Sequence, residues 1–91
     1  MKTIHKYQLN YGITSLQLPQ GAIPIHADLQ QDVPTLWVEV DTQMPLIHYN
    51  IHIVGTGHQM AESISPSTRL SHVSTFQEGG LVWHIYYQLG E

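Results

Sequence analysis

The sequence predicts a single all-β domain over residues 1–91, built as a small antiparallel β-sandwich or an open barrel of about seven strands. Three observations support this fold class: short segments in which apolar and polar residues alternate, turn-forming residues between them, and no window with the 3.6-residue period of a helix. Many short strands joined by turns are typical of sandwiches and barrels. We find no internal repeat and no linker that would divide the chain.

The predicted strands cover seven segments, in order residues 4–11, 13–18, 22–30, 33–41, 46–54, 70–77 and 81–89. Gly12 interrupts the alternation between the first two strands. Residues 19–21, Pro-Gln-Gly, predict the turn after the second strand, because proline and glycine favour turn backbone angles.

The third strand places four apolar residues on one predicted face: Ile23, Ile25, Ala27 and Leu29. Pro24 requires the start of a strand or a sheet edge, since proline cannot donate to a hydrogen-bond ladder. The dipeptide Gln31-Asp32 is a short polar connection, so the third and fourth strands form a predicted hairpin. In the fourth strand, Leu36, Val38 and Val40 share one face.

The fifth strand alternates over residues 46–54 and runs directly into Gly55-Thr56-Gly57-His58. Residues 59–69 are polar and predict a surface loop. Gly79-Gly80 indicates a hairpin between the sixth and seventh strands. The seventh strand is apolar on both faces, which favours either a central strand of the sandwich or a subunit interface.

Composition and charge exclude several classes of function. Three basic residues stand against seven acidic ones, the formal net charge is -4, and duplex binding depends on many Lys or Arg contacts to phosphates. No apolar run approaches the ~20 residues that span a bilayer, so we expect a soluble, unexported protein without membrane contact. The chain has no cysteine and therefore neither disulfides nor thiolate metal ligands. A chain of this size gains stability from association, and we expect a homo-oligomer.

The best candidate for a site is the glycine loop Gly55, Thr56, Gly57 and His58. Its backbone N–H groups and the Thr56 hydroxyl could form an anion nest for a phosphate or carboxylate, with His58 as a further hydrogen-bonding group. Alternatively, the glycines only allow a positive φ where the chain leaves the strand. If a nucleotide binds, Trp37 or Trp83 could stack on its base, and Arg69 offers the only guanidinium for a bidentate contact.

Signals for catalysis are weak, and we expect neither an enzyme nor a bound cofactor. Seven histidines invite a metal hypothesis, but His48 and His52 lie roughly 13 Å apart on a strand, and no zinc-ligand spacing is present. Ligands could still converge from different strands, but the histidines are better explained as ordinary polar strand and turn residues. Glu39 and Asp41 share a strand face about 7 Å apart, a spacing within the range of paired glycosidase carboxylates, but a solvated face also explains them.

Several short motifs occur in a familiar order: Ile4-His5-Lys6-Tyr7, Leu18-Pro19-Gln20-Gly21-Ala22, Leu36-Trp37 with Val40-Asp41, Gly55-Thr56-Gly57-His58, Thr75-Phe76-Gln77 and Gly79-Gly80-Leu81-Val82-Trp83-His84-Ile85-Tyr86. Over nearly the whole chain they resemble a family of small proteins encoded by tailed bacteriophages and prophages. The resemblance supplies no catalytic residues. It implies a viral accessory protein that acts in the host bacterial cytoplasm.

In that setting we expect the protein to counter host antiviral defence by binding. One version is sequestration of a small anionic, nucleotide-like signalling ligand at the glycine loop, and the other is direct inhibition of a host protein through the aromatic face of the last strand. A structural or virion role and a small metal-dependent hydrolase are the alternatives from other classes.

Overall fold

The computed structural model describes residues 1–60 and 70–89, and the all-β prediction is confirmed. Seven strands occur in this part of the chain: β1 (Lys2–Gln8), β2 (Gly12–Pro19), β3 (Ile23–Gln30), β4 (Val33–Asp41), β5 (Leu46–Gly55), β6 (Ser71–Glu78) and β7 (Leu81–Leu89). Each lies within three residues of its predicted bounds. The largest difference is at the end of β1, where residues 9–11 belong to the connection to β2.

The strands form two antiparallel sheets that pack into a sandwich. Sheet A has the order β1-β4-β3, and sheet B has the order β2-β5-β7-β6. The edge strands β3 and β6 lie side by side, and the Ala27 backbone N–H donates to Ser74 Oγ at 2.9 Å. A side-chain hydrogen bond thus joins the two sheets where a closed barrel would have a backbone ladder.

The two predicted hairpins are present and have the same kind of turn. Gln31 and Asp32 have φ of 50° and 66°, and Gly79 and Gly80 have φ of 64° and 78°. Two consecutive residues with positive φ are the mark of a type I′ turn, whose twist matches that of the flanking strands. Glycine adopts this conformation without steric cost, whereas Gln31 and Asp32 adopt it against their usual preference.

The core lies between the inner faces of the two sheets. The alternation predicted in β4 and β5 is confirmed, because Leu36, Val38, Ile51 and Ile53 are all buried. Twelve buried hydrophobic residues form one cluster: Leu9, Leu18, Ala22, Ala27, Leu36, Val38, Val40, Tyr49, Ile51, Ile53, Phe76 and Ile85. Strand β7, apolar on both faces, lies centrally between β5 and β6, as one of the two predicted alternatives required.

The predicted shared face of β3 is wrong. A β-bulge between Pro24 and His26 inserts Ile25 as an extra residue, and the alternation shifts by one position there. Pro24 and Ala27 are therefore buried, while Ile23 and Ile25 are 54% and 45% exposed. The prediction that Pro24 belongs to an edge strand is confirmed, since β3 is an edge of sheet A.

Candidate functional site

The glycine loop is a tight turn at the end of β5. The His58 N–H donates to the Gly55 carbonyl at 2.9 Å, which closes a four-residue β-turn with Gly57 at its third position. Gly57 has a φ of 84°, a left-handed value that side chains disfavour. The Thr56 N–H donates to the Val82 carbonyl at 2.9 Å and so extends the β5–β7 pairing by one bond.

Gly55 is required for a different reason. A Cβ atom at this position would stand 2.7 Å from His58 Nδ1 and 2.9 Å from His58 Cε1, closer than real Cβ contacts. The imidazole of His58 therefore lies directly against the backbone of Gly55. The two glycines of the loop have separate roles, one allowing the turn and the other allowing this contact.

The His58 ring also meets Trp83 edge-on, with ring centroids 5.6 Å apart at an interplanar angle of 79°. Trp83 also packs against the Tyr11 ring, with ring centroids 4.7 Å apart. Its Nε1–H donates to the Glu78 carbonyl at 3.1 Å. The Tyr11 hydroxyl donates to the Glu78 carboxylate, and burial together with this hydrogen bond raises the pKa of Tyr11. These contacts hold the indole of Trp83 in one orientation.

A pocket of about 360 Å³ opens between the start of β2 and the glycine loop. It is lined by nine residues: Gly12, Ile13, His52, Ile53, Val54, Gly55, His58, Gln59 and Trp83. Strand β2 begins at Gly12, opposite Ile53, so Val54 and Gly55 extend beyond it and leave the space that forms the pocket.

His52 is the buried polar residue of this pocket. Only 2% of it is exposed, and its Nε2 has no hydrogen-bond partner among the described residues. Burial lowers the pKa of His52, and the neighbouring Gln88 amide opposes this shift only in part. The imidazole is therefore neutral at physiological pH. The alternation of β5 gave no indication that His52 would be buried.

A hydrogen-bond network on the outer face of sheet B ties the loop to β6 and β7. The Thr56 hydroxyl lies 2.7 Å from His84 Nε2, Thr75 Oγ1 lies 3.3 Å from His84 Nδ1, and His72 Nε2 lies 3.0 Å from Thr75 Oγ1. In its neutral form an imidazole has one N–H, so a neutral His84 would donate to one threonine and accept from the other. The loop is thus anchored through the side chain of Thr56 as well as through its backbone.

The structure brings together most, but not all, of the predicted site residues. Gly55, His58 and Trp83 line the pocket, whereas Thr56 and Gly57 belong to the same turn but not to the lining. Trp37 lies on the outer face of sheet A. Arg69 lies outside the described residues.

The anion-nest hypothesis meets a restriction in this loop conformation. The N–H groups of Thr56 and His58 already donate to backbone carbonyls. The Thr56 hydroxyl is already bonded to His84, so an anion at the loop would depend on the His58 side chain and the Gly57 amide. Among the described basic residues, Lys2 and Lys6 both lie on β1, in the other sheet.

Side chains that could support catalysis or metal binding are dispersed. The described residues contain no cluster of three or more His, Cys, Asp or Glu that could hold a metal ion. Ser74 Oγ lies 3.3 Å from His26 Nδ1, and His26 Nε2 lies 3.8 Å from Asp28. His26 and Asp28 are more than half exposed, and Ser74 already accepts the Ala27 N–H. This row of residues joins the edges of the two sheets at an exposed position, whereas active sites are concave and enclosed.

The fold and the pocket together define a small all-β sandwich protein with a concave site at the end of its four-stranded sheet. The chain belongs to the family described as domain of unknown function DUF7352, whose model matches residues 1–91. Searches of curated proteins and of solved structures found no match to the chain. No helix in the described part of the chain is long and apolar enough to cross a membrane.

Proposed function

We propose that this protein is a phage-encoded accessory protein that acts by binding rather than by catalysis. It captures a small nucleotide-like ligand in the pocket beside the glycine loop, and it thereby removes a signal used in antiviral defence in the host bacterial cytoplasm. It does so as a homo-oligomer. The observation that supports this proposal best is that His58, Trp83 and the buried, unpartnered His52 line the same pocket.

The chemistry of the pocket suits the base of a nucleotide. Its volume lies within the ~300–1,000 Å³ of small-molecule sites. The rings of Trp83 and His58 offer apolar and aromatic contact, and a base contributes a planar π-face. A neutral imidazole at His52 can accept a hydrogen bond from a ring N–H or an exocyclic amine. A phosphate would then face the loop, where the His58 side chain lines the pocket and where Arg69 remains a predicted contact.

The viral setting of the proposal depends on the sequence resemblance. The ordered motifs of the chain resemble proteins of tailed phages and prophages, and small phage proteins without catalytic residues often act by binding. Inhibition of a host protein through the aromatic face of β7 receives less support, because Trp83 and Tyr87 pack against the core of the sandwich.

Titration with three defined probes tests the proposal: AMP, cyclic di-GMP and inorganic phosphate. Native mass spectrometry and calorimetry should show that at least one nucleotide binds and that phosphate alone binds much more weakly. His58→Ala and Gly57→Val should abolish nucleotide binding while the fold is retained by circular dichroism.

Trp37→Ala is the matched control, because it removes an indole from the opposite sheet and should leave affinity unchanged. Unchanged affinity in both loop variants, or no binding of either nucleotide to the wild-type protein, would overturn the pocket assignment. Recovery of the protein from purified virions would instead favour a structural role.

A further inference from the structure

The sheet edges of this sandwich differ in how they are protected. Unpaired edge strands invite pairing with other chains, and proteins protect them with charges, prolines, bulges or neighbouring elements. Strand β1 bears Lys2 and Lys6, while β3 contains Pro24 and a bulge and lies beside β6, which is also bulged.

Strand β2 has no charge and no bulge, and its one proline, Pro19, is its last residue. It runs for eight residues, Gly12–Pro19, with no charged side chain and no irregularity in its register with β5. Among the described residues, only β5 pairs with it. Ile13 on this strand is 46% exposed, and Leu16 is only partly buried at the margin of the core.

We propose that β2 pairs antiparallel with β2 of a second copy of this chain, about a two-fold axis at Leu16. The two four-stranded sheets then join into one continuous eight-stranded sheet. In this register Leu16 faces Leu16, Ile13 faces Pro19, and Ser15 faces Gln17 across the axis. The pairing covers both partly exposed apolar residues, and the absence of charge on β2 means that no like charges oppose each other.

A second copy fits this edge better than other strands of the same protein do. The contact is isologous, so the same surface is used on both chains and assembly stops at the dimer. Pairing of β2 with the β1 edge would be heterologous and would continue into open filaments, and the lysines of β1 oppose it.

The dimer also affects the pocket. Gly12 and Ile13 belong to both β2 and the pocket lining, and the proposed register places Gln20 and Pro19 of the second copy beside them. The proposed dimer rests on the proposed function only in its expectation of a homo-oligomer. The argument from the exposed edge of β2 involves no ligand.

Paired substitutions at the exposed positions Ser15 and Gln17 test both the interface and its register. The wild-type protein, without ligand, should have twice the 10.3 kDa chain mass in sedimentation equilibrium. The S15K/Q17K variant places two lysine pairs across the axis and should raise the dimer dissociation constant about tenfold or more. The S15K/Q17E variant alters the same positions but pairs opposite charges, and it should remain dimeric.

Gln8→Lys adds a charge to the β1 edge and should leave the dimer intact, and circular dichroism confirms that each variant is folded. A monomeric wild-type protein, an undisturbed S15K/Q17K dimer, or a monomeric S15K/Q17E variant would overturn this pairing. If the wild-type protein is a monomer that still binds nucleotide, only the proposed interface is overturned. If the protein is a dimer whose variants behave as expected but no nucleotide binds, only the ligand proposal is overturned.

Discussion

Two tryptophan–histidine pairs, one in each sheet, have nearly the same ring separation but different surroundings. Trp37 and His26 are cross-strand neighbours on the outer face of sheet A, with centroids 5.7 Å apart at a shallow 30°. Trp83 and His58 lie 5.6 Å apart at 79°, beside the pocket and against Tyr11. A ring pair alone therefore does not make a site. The second pair lines a cavity because β2 begins late and leaves the end of β5 uncovered.

The largest expected effect separates the two tryptophans by stability. Trp83→Ala removes a ring that packs on the core and a hydrogen bond to Glu78, so it should lower the free energy of unfolding by about 3 kcal/mol. Trp37→Ala removes a ring from an outer face and should cost about 1 kcal/mol or less. Urea unfolding of both variants measures the difference. Equal losses would show that the two pairs are energetically equivalent and would remove the distinction drawn between them.

A smaller effect concerns the contact between Gly55 and His58. Gly55→Ala places a methyl group against the imidazole, so truncating His58 in that background should cost less than in the wild-type protein. The expected coupling in a double-mutant cycle is about 0.5 kcal/mol or more. Gly57→Ala should cost about 1 kcal/mol because of its positive φ, and its cycle with His58→Ala should be additive, since a Cβ there meets no atom within 4 Å. Additivity in both cycles would contradict the proposed contact.

The smallest effect is a pH dependence that distinguishes His52 from exposed histidines. Burial lowers the folded-state pKa of His52 below its ordinary value of 6.5, so near and below that value the unfolded chain binds a proton that the folded chain does not. The stability contributed by neutral His52 is therefore present above pH 6.5, and it is lost as the pH falls from 6.5 toward the lowered folded-state pKa. Unfolding free energies at ~pH 7.5 and ~pH 5.5 should differ less in His52→Gln than in the wild type.

His5→Gln is the matched control, since it also removes one imidazole but at an exposed position. If His52→Gln retained the full wild-type difference between the two pH values, another group would have to be responsible for it.

Sequence patterns predicted the strands well because each strand and turn is a local feature. The alternation of β4 and β5 and the two hairpin turns each depend on fewer than about ten neighbouring residues. The bulge at Ile25 escaped prediction because one inserted residue leaves the composition of the strand unchanged while it reverses the faces of Ile23 and Ala27. Short-range patterns therefore located the element and misassigned part of its buried face.

The candidate site was predicted only in part, because its geometry depends on residues distant in sequence. The glycine loop and Trp83 were recognisable as residue types. Which tryptophan would join the loop depended on the pairing of β5 with β7, which sets Gly55 opposite Trp83. The burial of His52 has no local signal, since neighbouring strands and covering residues determine it.

The registers of the two outermost ladders bear on how this chain folds. The nearest pairs of these ladders are Gln8 with Thr35 and Pro19 with Leu46, so each ladder must close a loop of about 27 residues before it gains any hydrogen bond. The β3–β4 and β6–β7 hairpins close over two-residue turns and can form first. Refolding is therefore expected on the millisecond-to-second timescale of non-local β proteins, with β1 and β2 joining last.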